Sequence, residues 1–232
     1  MTEHSGSAFK VLEKGGNDME HNQHLDDFLL RIFTGVHLKS PLFYNVPIGI
    51  RFELGGNIVA FEERAEQVKE RAITLFDAIN QSDDNIYFVL FMDSWNEHPI
   101  KAFEKDVFKV FVNYVKRIDL DKICMKEQEF RHKEADEIDD TVTIRYCAKV
   151  KVQDVDVNSL IGAIANRTLG LEPTVSGDIY LINETNRTIF HFYDDRGLDI
   201  VAENTKVLKK VYEQYNHWIL DYDRERINEI FS

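Results

Sequence analysis

The sequence predicts an α+β fold, in which helices pack on a mixed sheet and a β-β-β-α unit closes the chain. Apolar residues alternate with polar ones over residues 48–54 and 141–152, the pattern of strands with one buried face. Apolar residues recur at helical spacing over residues 62–79, which predicts an amphipathic helix. Helices separate some of the predicted strands and tight turns separate others, and this order favours α+β over a purely parallel α/β sheet.

The chain is predicted to fold as one domain behind a flexible tail. Its 232 residues, of which 44% are hydrophobic, are enough to bury a sizeable core. Residues 1–22 are polar and aperiodic, so we predict a tail there and a single α+β domain over residues 23–232. Residues 126–140 are charged and nearly devoid of apolar anchors, which predicts an exposed loop or linker, with a solvated helix as the alternative. Any subdivision of the domain is expected in this stretch.

The first half of the domain is predicted to run helix, strand, helix, strand. Apolar residues fall on one helical face from His24 onward, and Gly35 is the predicted end of that helix. After the strand at 48–54 and the helix at 62–79, residues 85–92 form a nearly continuous apolar run, typical of an interior strand. The order is compatible with a right-handed βαβ crossover and with a split, antiparallel arrangement.

The middle of the chain is predicted to contain two helices on either side of a strand. Residues 103–118 fit helical spacing better than strand spacing. After the strand at 141–152, Asp156 or Asn158 is predicted to cap a helix that ends near Gly170.

The closing unit carries the clearest pattern of the whole sequence. Two strand-like runs flank the turn at 184–187, and a second turn at 194–197 leads into a third run. A long amphipathic helix is predicted from there to Phe231.

The acidic composition excludes one class of partner. The formal net charge is −13 and the pI is about 5.1, so the field of the protein repels phosphate backbones and general nucleic-acid binding is not expected. The same charge would attract a basic protein partner.

The two cysteines and the apolar pattern predict a cytoplasmic protein. Cys124 and Cys147 form no CxxC pair, and we expect both thiols to be free in a reducing compartment. Cys147 lies within a predicted strand and is expected to be structural, whereas Cys124 is expected to be the more exposed of the two. No signal peptide and no membrane-length apolar run is visible, so we expect no membrane association.

The sequence predicts no metal centre, no cofactor and no catalytic residue. The eight histidines are scattered, without the HExxH spacing of a zinc site. His191 alternates with Phe190 and Phe192, which places it on the polar face of a strand, as a surface or supporting residue rather than a ligand. The chain has no GxSxG elbow, P-loop or Rossmann glycine pattern, so neither a serine nucleophile nor a phosphate-bearing cofactor is expected.

A set of arginines and carboxylates is the best candidate for a binding site. It comprises residues of one strand, one turn and the C-terminal segment: Arg51, Glu53, Asp194, Asp195, Arg196, Asp223 and Arg224. Side chains two residues apart on a strand project from the same face, as Arg51 and Glu53 do. The favoured interpretation is a network of ion pairs that ties the turn to the last helix. The alternative is a polar pocket for a small ligand.

Trp95 is the second candidate for a contact with a partner. It lies in the polar stretch 93–99, directly after a buried strand. An aromatic side chain in such a loop is suited to anchor an interface, although packing of the loop itself is the favoured interpretation.

Four segments together carry a resemblance to a known family. They are residues 41–44 (PLFY), 48–54 (IGIRFEL), 190–197 (FHFYDDRG) and 218–224 (WILDYDR). In this combination the chain resembles an uncharacterised bacterial domain-of-unknown-function family, found mainly in Gram-positive spore formers. The resemblance runs from about His24 to the C-terminus. It implies a small cytoplasmic bacterial protein and supplies no reaction, ligand or residue role.

Three functional hypotheses follow from the sequence. The leading one is a protein-binding module that catalyses nothing, of an immunity or antitoxin type, whose acidic surface masks a basic partner. The second is a small-ligand-binding protein or a hydrolase-type enzyme, and it requires one concave pocket shared by Arg51, Glu53, Asp195, Arg196 and Asp223. The third is a homodimer joined through an apolar patch.

Overall fold

A computed structural model describes residues 17–94, 100–133 and 141–232 and confirms the α+β class. The helices are α1 (Asn17–Phe33), α2 (Phe61–Ile79), α3 (Ile100–Tyr114), α4 (Val157–Leu169), α5 (Thr205–Gln214) and α6 (Arg224–Phe231). The strands are β1 (Gly49–Glu53), β2 (Asn85–Ser94), β3 (Cys124–Glu129), β4 (Val142–Lys151), β5 (Asp178–Asn183), β6 (Thr188–Asp194) and β7 (Gly197–Ala202). The predicted closing unit is therefore present as β5, β6, β7 and α5.

The seven described strands form one sheet in the order β1-β7-β6-β5-β2-β4-β3. Every pair of neighbours is antiparallel, which refines the expected mixed sheet. For residues 48–92 the structure has one feature of each of the two arrangements left open, the parallel direction of a crossover and the separation of a split pair. β1 and β2 run in the same direction, but β7, β6 and β5 are inserted between them.

One face of the sheet, called here the first face, is mainly apolar. Its side chains form a single buried cluster with α2, α3, α4, α5 and α6. Aromatic rings pack between the helices and the sheet. The ring centres of Phe88 in β2 and Phe111 in α3 are 5.1 Å apart, and those of Phe76 in α2 and Phe190 in β6 are 5.3 Å apart. These helices follow the spacing predicted from the sequence, and Asp156 caps α4 by accepting from the Ser159 amide at 3.1 Å.

The opposite face, called here the second face, is only partly covered by α1. Apolar residues of α1, including Leu25 and Phe28, pack on Tyr87, Val89 and Ile182. The helix is also held by Arg145 of β4, which donates hydrogen bonds to Asp26 at 2.6 Å and to Asn22 at 3.0 Å. Beyond α1 this face carries polar side chains, and they build the site described below.

The structure corrects three expectations about the chain before the closing unit. Residues 126–129 form part of edge strand β3, instead of the predicted loop or linker, because a strand at the edge of a sheet tolerates charged side chains. Residues 134–140 lie outside the described part. α1 begins at Asn17, within the predicted tail, and residues 1–16 are likewise outside the described part. Cys124, expected to be the more exposed cysteine, is buried like Cys147.

The predicted long C-terminal helix is broken. Two short 3-10 turns, Asn216–Trp218 and Asp221–Asp223, separate α5 from α6. Between them the chain is extended, Ile219 pairs with Phe52, and the Leu220 amide donates to the Arg51 carbonyl at 3.1 Å. The segment therefore covers the outer edge of β1, and these strand-like hydrogen bonds are the reason that the helix does not continue.

Candidate functional site: an arginine-lined cleft

The strand register gathers polar side chains at one end of the second face. Arg51 of β1 lies opposite Asp199 of β7, and Asp199 lies opposite His191 of β6. Asp178, the first residue of β5, lies opposite Phe91 of β2. Since opposite residues on paired strands share a face, side chains from five neighbouring strands meet on one surface.

A cleft of about 1010 Å³ opens over this surface. Its described lining includes Phe91, Met92 and Tyr193, together with Pro41 from the segment before β1. The charged lining residues are five arginines and four carboxylates: Arg51, Arg64, Arg131, Arg167, Arg196, Glu53, Asp93, Asp178 and Asp194.

The Arg51–Asp199 pair is buried at the β1 end of the cleft. Arg51 Nε and Nη2 donate to the two Asp199 oxygens at 2.7 and 2.8 Å, and the Phe43 amide donates to Asp199 at 2.9 Å. The Arg51 guanidinium lies 4.8 Å from the centre of the Tyr44 ring. Burial lowers the pKa of Arg51, but the hydrogen bonds to Asp199 and the charge of Asp199 raise it by more. The net shift of the pKa is upward, so Arg51 stays charged.

The turn between β6 and β7 is tied to α2, not to the last helix. Asp194 accepts from the backbone amide and Nε of Arg196, both at 2.9 Å, within the turn itself. Asp195 accepts from Arg64 Nε of α2 at 2.5 Å. Burial opposes ionisation of Asp195, but hydrogen bonds from Thr168 and Arg64 outweigh it and lower its pKa. The prediction that ion pairs tie this turn to the last helix is therefore wrong.

Arg167, near the end of α4, is held by carbonyl groups. Its Nη1 donates to the Gly177 carbonyl at 2.6 Å, and its Nη2 donates to the Tyr193 carbonyl at 3.0 Å. Among the residues that the structure describes, no carboxylate forms an ion pair with it. Its positive charge at the cleft is therefore not neutralised by a direct partner.

Asp178 is the centre of a hydrogen-bond network on the cleft floor. It accepts from His191 Nε2 at 2.7 Å, from the Tyr180 hydroxyl at 2.9 Å and from Arg131 Nη1 at 3.0 Å. Burial raises the pKa of Asp178, but the interactions with His191 and Arg131 lower it by more, so the carboxylate is ionised. An ionised carboxylate can only accept, and His191 Nε2 therefore carries the hydrogen.

His191 is fully buried, so of the two expected positions, on the surface or supporting other residues, it does not have the surface one. The face is polar, as the alternation predicted, but Tyr180 stacks on the imidazole with ring centres 4.0 Å apart. Asp178 supplies the hydrogen-bond partner that makes burial of the ring tolerable. His191 Nδ1 has no partner within the described residues.

Arg131 separates the cleft from a smaller cavity. This second cavity, of about 550 Å³, lies beside α1 and shares Phe91 and Arg131 with the cleft lining. Arg131 Nη1 donates to the Leu38 carbonyl at 2.7 Å in addition to Asp178, and its guanidinium lies 4.0 Å from the centre of the Phe91 ring. The side chain is 5% exposed, and its Nε has no acceptor in the described part of the chain.

The site residues predicted from the sequence fall into three groups. Four of them line the cleft: Arg51, Glu53, Asp194 and Arg196. Asp195 stands behind the lining, bonded to Arg64. Two lie outside it and hold the C-terminal segment: Asp223 accepts from the Tyr44 hydroxyl at 2.7 Å, and Arg224 donates to Asp221 at 2.8 Å and to the Ile219 carbonyl at 2.8 Å. Trp95 lies outside the described residues.

Sequence reasoning missed several residues of the cleft. Arg131 lies in the charged run interpreted as a loop, and Arg64 and Arg167 lie on helix surfaces where arginine is common. Asp178 had a usable signal, because it alternates with Tyr180 and therefore shares a face with it.

The described residues contain no group of three or more His, Cys, Asp or Glu side chains placed to hold a metal ion. None of the described helices has the length and apolar character needed to cross a membrane.

Comparison with known proteins places the chain in a family. The model of one family, described as a domain of unknown function (DUF3885), matches residues 25–223. The chain belongs to this family. It is also 25% identical over 206 residues to the uncharacterised protein YnaE of Bacillus subtilis (strain 168), covering 82% of this chain and 94% of that protein. The resemblance to a Gram-positive bacterial family is thus confirmed. No solved structure matches the chain.

Proposed function

We propose that this member of the DUF3885 family is a binding protein whose cleft takes a small molecule bearing carboxylate or phosphate groups. One observation carries the proposal. Five of the chain's twelve arginines, and none of its sixteen lysines, are among the described lining residues, although the chain as a whole has a net charge of −13. Arginine is favoured over lysine where planar anionic groups are bound by two hydrogen bonds at once.

The arginines keep donors for such a ligand despite their internal partners. Arg51 and Arg196 each use Nε and Nη2 for an aspartate, and neither makes an Nη1 hydrogen bond within the described residues. Arg167 adds a charge without a carboxylate partner. The volume of the cleft is at the upper end of the range for small-molecule sites, about 300–1,000 Å³.

The internal ion pairs also prepare the cleft for binding. Each guanidinium is fixed by at least one partner before a ligand arrives, so little side-chain freedom remains to be lost on binding. The same pairs serve stability, and the two roles are compatible.

Binding of anionic probes by isothermal titration calorimetry tests the proposal. We expect inorganic phosphate, citrate or ATP to bind to the protein, and Arg196→Gln to weaken that binding about tenfold, the loss expected for one charge-assisted hydrogen bond. Arg196 has a side chain 77% exposed, so its loss should leave the melting temperature nearly unchanged.

Arg187→Gln is the matched control. Arg187 is also a turn arginine bonded to an acidic residue, Glu203 at 2.7 Å, but it is absent from the cleft lining. We expect it to bind the probes as the wild type does. Equal losses in the two variants, or no binding of any probe, would contradict the proposal.

A basic protein partner remains the second candidate function. It is supported by the net charge of −13, which would speed the capture of a cationic protein. A pull-down from host lysate at low and at high salt tests it. A salt-sensitive basic protein should be retained, and recovery of no such protein would count against this candidate.

A further inference from the structure

We infer that the ligand of the cleft is an extended molecule with an anionic group at each end, and that Arg131 binds the second group. This inference rests on the proposed function and adds the class of ligand. Three observations support it: the span of the cleft across the sheet, the distribution of the arginines along it, and an unused donor on a buried cation.

The cleft is long in the direction across the strands. Glu53 and Arg51 line it from β1, and Phe91 and Asp93 line it from β2. The strand order places β7, β6 and β5 between these two strands. Four spacings of about 4.8 Å separate the backbones of β1 and β2 by about 19 Å. A compact anion would occupy only one end of such a cleft.

Three of the five arginines lie toward the β1 end. Arg51 is on β1, and Arg196 is in the turn that precedes β7, the neighbour of β1. Arg64 is bonded to Asp195 of the same turn. Arg167 lies between the two ends, bonded to the Tyr193 carbonyl at the end of β6 and to the Gly177 carbonyl directly before β5. Arg131 lies apart from them, over the Phe91 ring of β2. The cleft thus has a group of arginines toward one end, each paired with an aspartate, and a single arginine at the other end.

The guanidinium of Arg131 is buried and held in place by several partners, unlike that of a surface arginine. Its side chain is 5% exposed, and the Leu38 carbonyl, Asp178 and the Phe91 ring fix the guanidinium from three directions. Its Nε–H is nevertheless buried without an acceptor in the described part of the chain. Buried donors, charged ones above all, are normally satisfied. An oxyanion at this end of the cleft would provide the missing acceptor.

The test compares ligands with one and two anionic groups. The probes are α,ω-dicarboxylic acids of four to twelve carbons and the monocarboxylic acids of the same lengths, titrated calorimetrically into the full chain. A second arm uses α,ω-alkanediol bisphosphates, which distinguishes phosphate from carboxylate ends. We expect affinity to rise with length, and the best two-ended probe to bind at least about tenfold more tightly than its one-ended counterpart.

Variants assign the second group to Arg131. Arg131→Gln should abolish the advantage of two-ended probes while leaving one-ended probes unchanged, and Arg196→Gln should weaken both kinds alike. Arg145→Gln is the control, because Arg145 is equally buried, pairs with Asp26 and also has an unused Nε, yet does not line the cleft. Arg145→Gln should still bind two-ended probes more tightly than one-ended probes. The length series on the wild type stands even if a variant fails to fold.

The outcomes separate the inference from the proposed function. If one-ended and two-ended probes bind equally and Arg196→Gln weakens both, the inference is overturned and the proposed function stands. If the length advantage survives Arg131→Gln in a folded variant, the assignment to Arg131 is wrong. If no probe binds in either arm, both fall together.

Discussion

The two faces of the sheet are built from alternate residues of the same strands, yet they solve different problems. The first face buries mainly apolar side chains under five helices, and these side chains need only shape and volume to pack. The second face buries Arg51, His191 and Asp199, and each of these needs a hydrogen-bonding partner. Partial cover by α1 leaves Arg51 and the partly exposed Asp178 in the lining of a cleft. One face stabilises the fold through apolar contacts, and the other holds charged groups in place through ion pairs and hydrogen bonds.

The largest effect is expected on the first face. Phe88 is fully buried and packs on Phe111, so Phe88→Ala should lower the free energy of unfolding by about 4 kcal/mol through lost contacts and a residual cavity. Urea denaturation measures it. Leu30→Ala is the control, since Leu30 is an apolar side chain 66% exposed, and it should change stability by less than about 0.5 kcal/mol.

A smaller loss is expected from the buried pair of the second face. Asp199→Asn should cost about 3 kcal/mol, because Arg51 remains charged and buried without its carboxylate. The double variant Arg51→Met/Asp199→Leu should recover most of that loss in the same urea titration, since it removes both charges. If the double variant is as unstable as the single one, the pair contributes more than mutual neutralisation, and the contrast between the faces is wrong.

The smallest expected effect is a pH-dependent contribution of the second face to the free energy of unfolding. The pKa of Asp178 is lower in the folded protein than in the unfolded chain, where it is about 3.9. The unfolded chain therefore takes up a proton first as the pH falls, and the contribution of Asp178 is fully present above about pH 4 and lost below it. Asp178→Asn lacks this contribution. Its unfolding free energy should lie below that of the wild type at pH 7 and approach it toward pH 2, as urea titrations across this range would show; parallel curves would contradict this.

Local periodicity was enough to predict most of the fold. Strands with alternating or continuous apolar residues, such as β2 and β4, and helices with one apolar face, such as α2, were predicted close to their observed bounds. β3 was missed because an edge strand with exposed charged side chains has no apolar signal. The break after Gln214 was missed because it depends on Ile219 pairing with Phe52, a contact across the whole chain.

The cleft could be predicted only in part, for a related reason. Arg51 and Glu53, and Asp194 and Arg196, are neighbours in sequence, and their shared location follows from strand and turn geometry. Arg131 and Asp178 meet across 47 residues, and His191 reaches Asp178 only through the pairing of β5 with β6. Such contacts depend on strand order, which no local pattern encodes. The same limit explains why Asp223 was grouped with a site it does not line.

The insertion of β5, β6 and β7 between β1 and β2 has a consequence for synthesis in the cell. As the chain leaves the ribosome, β1 emerges well before β7, its neighbour among the described strands, which ends at Ala202. Contacts so distant in sequence slow folding, because the intervening loop must be ordered before they form. The nascent first half therefore waits with unpaired strand edges, the kind of surface that chaperones protect.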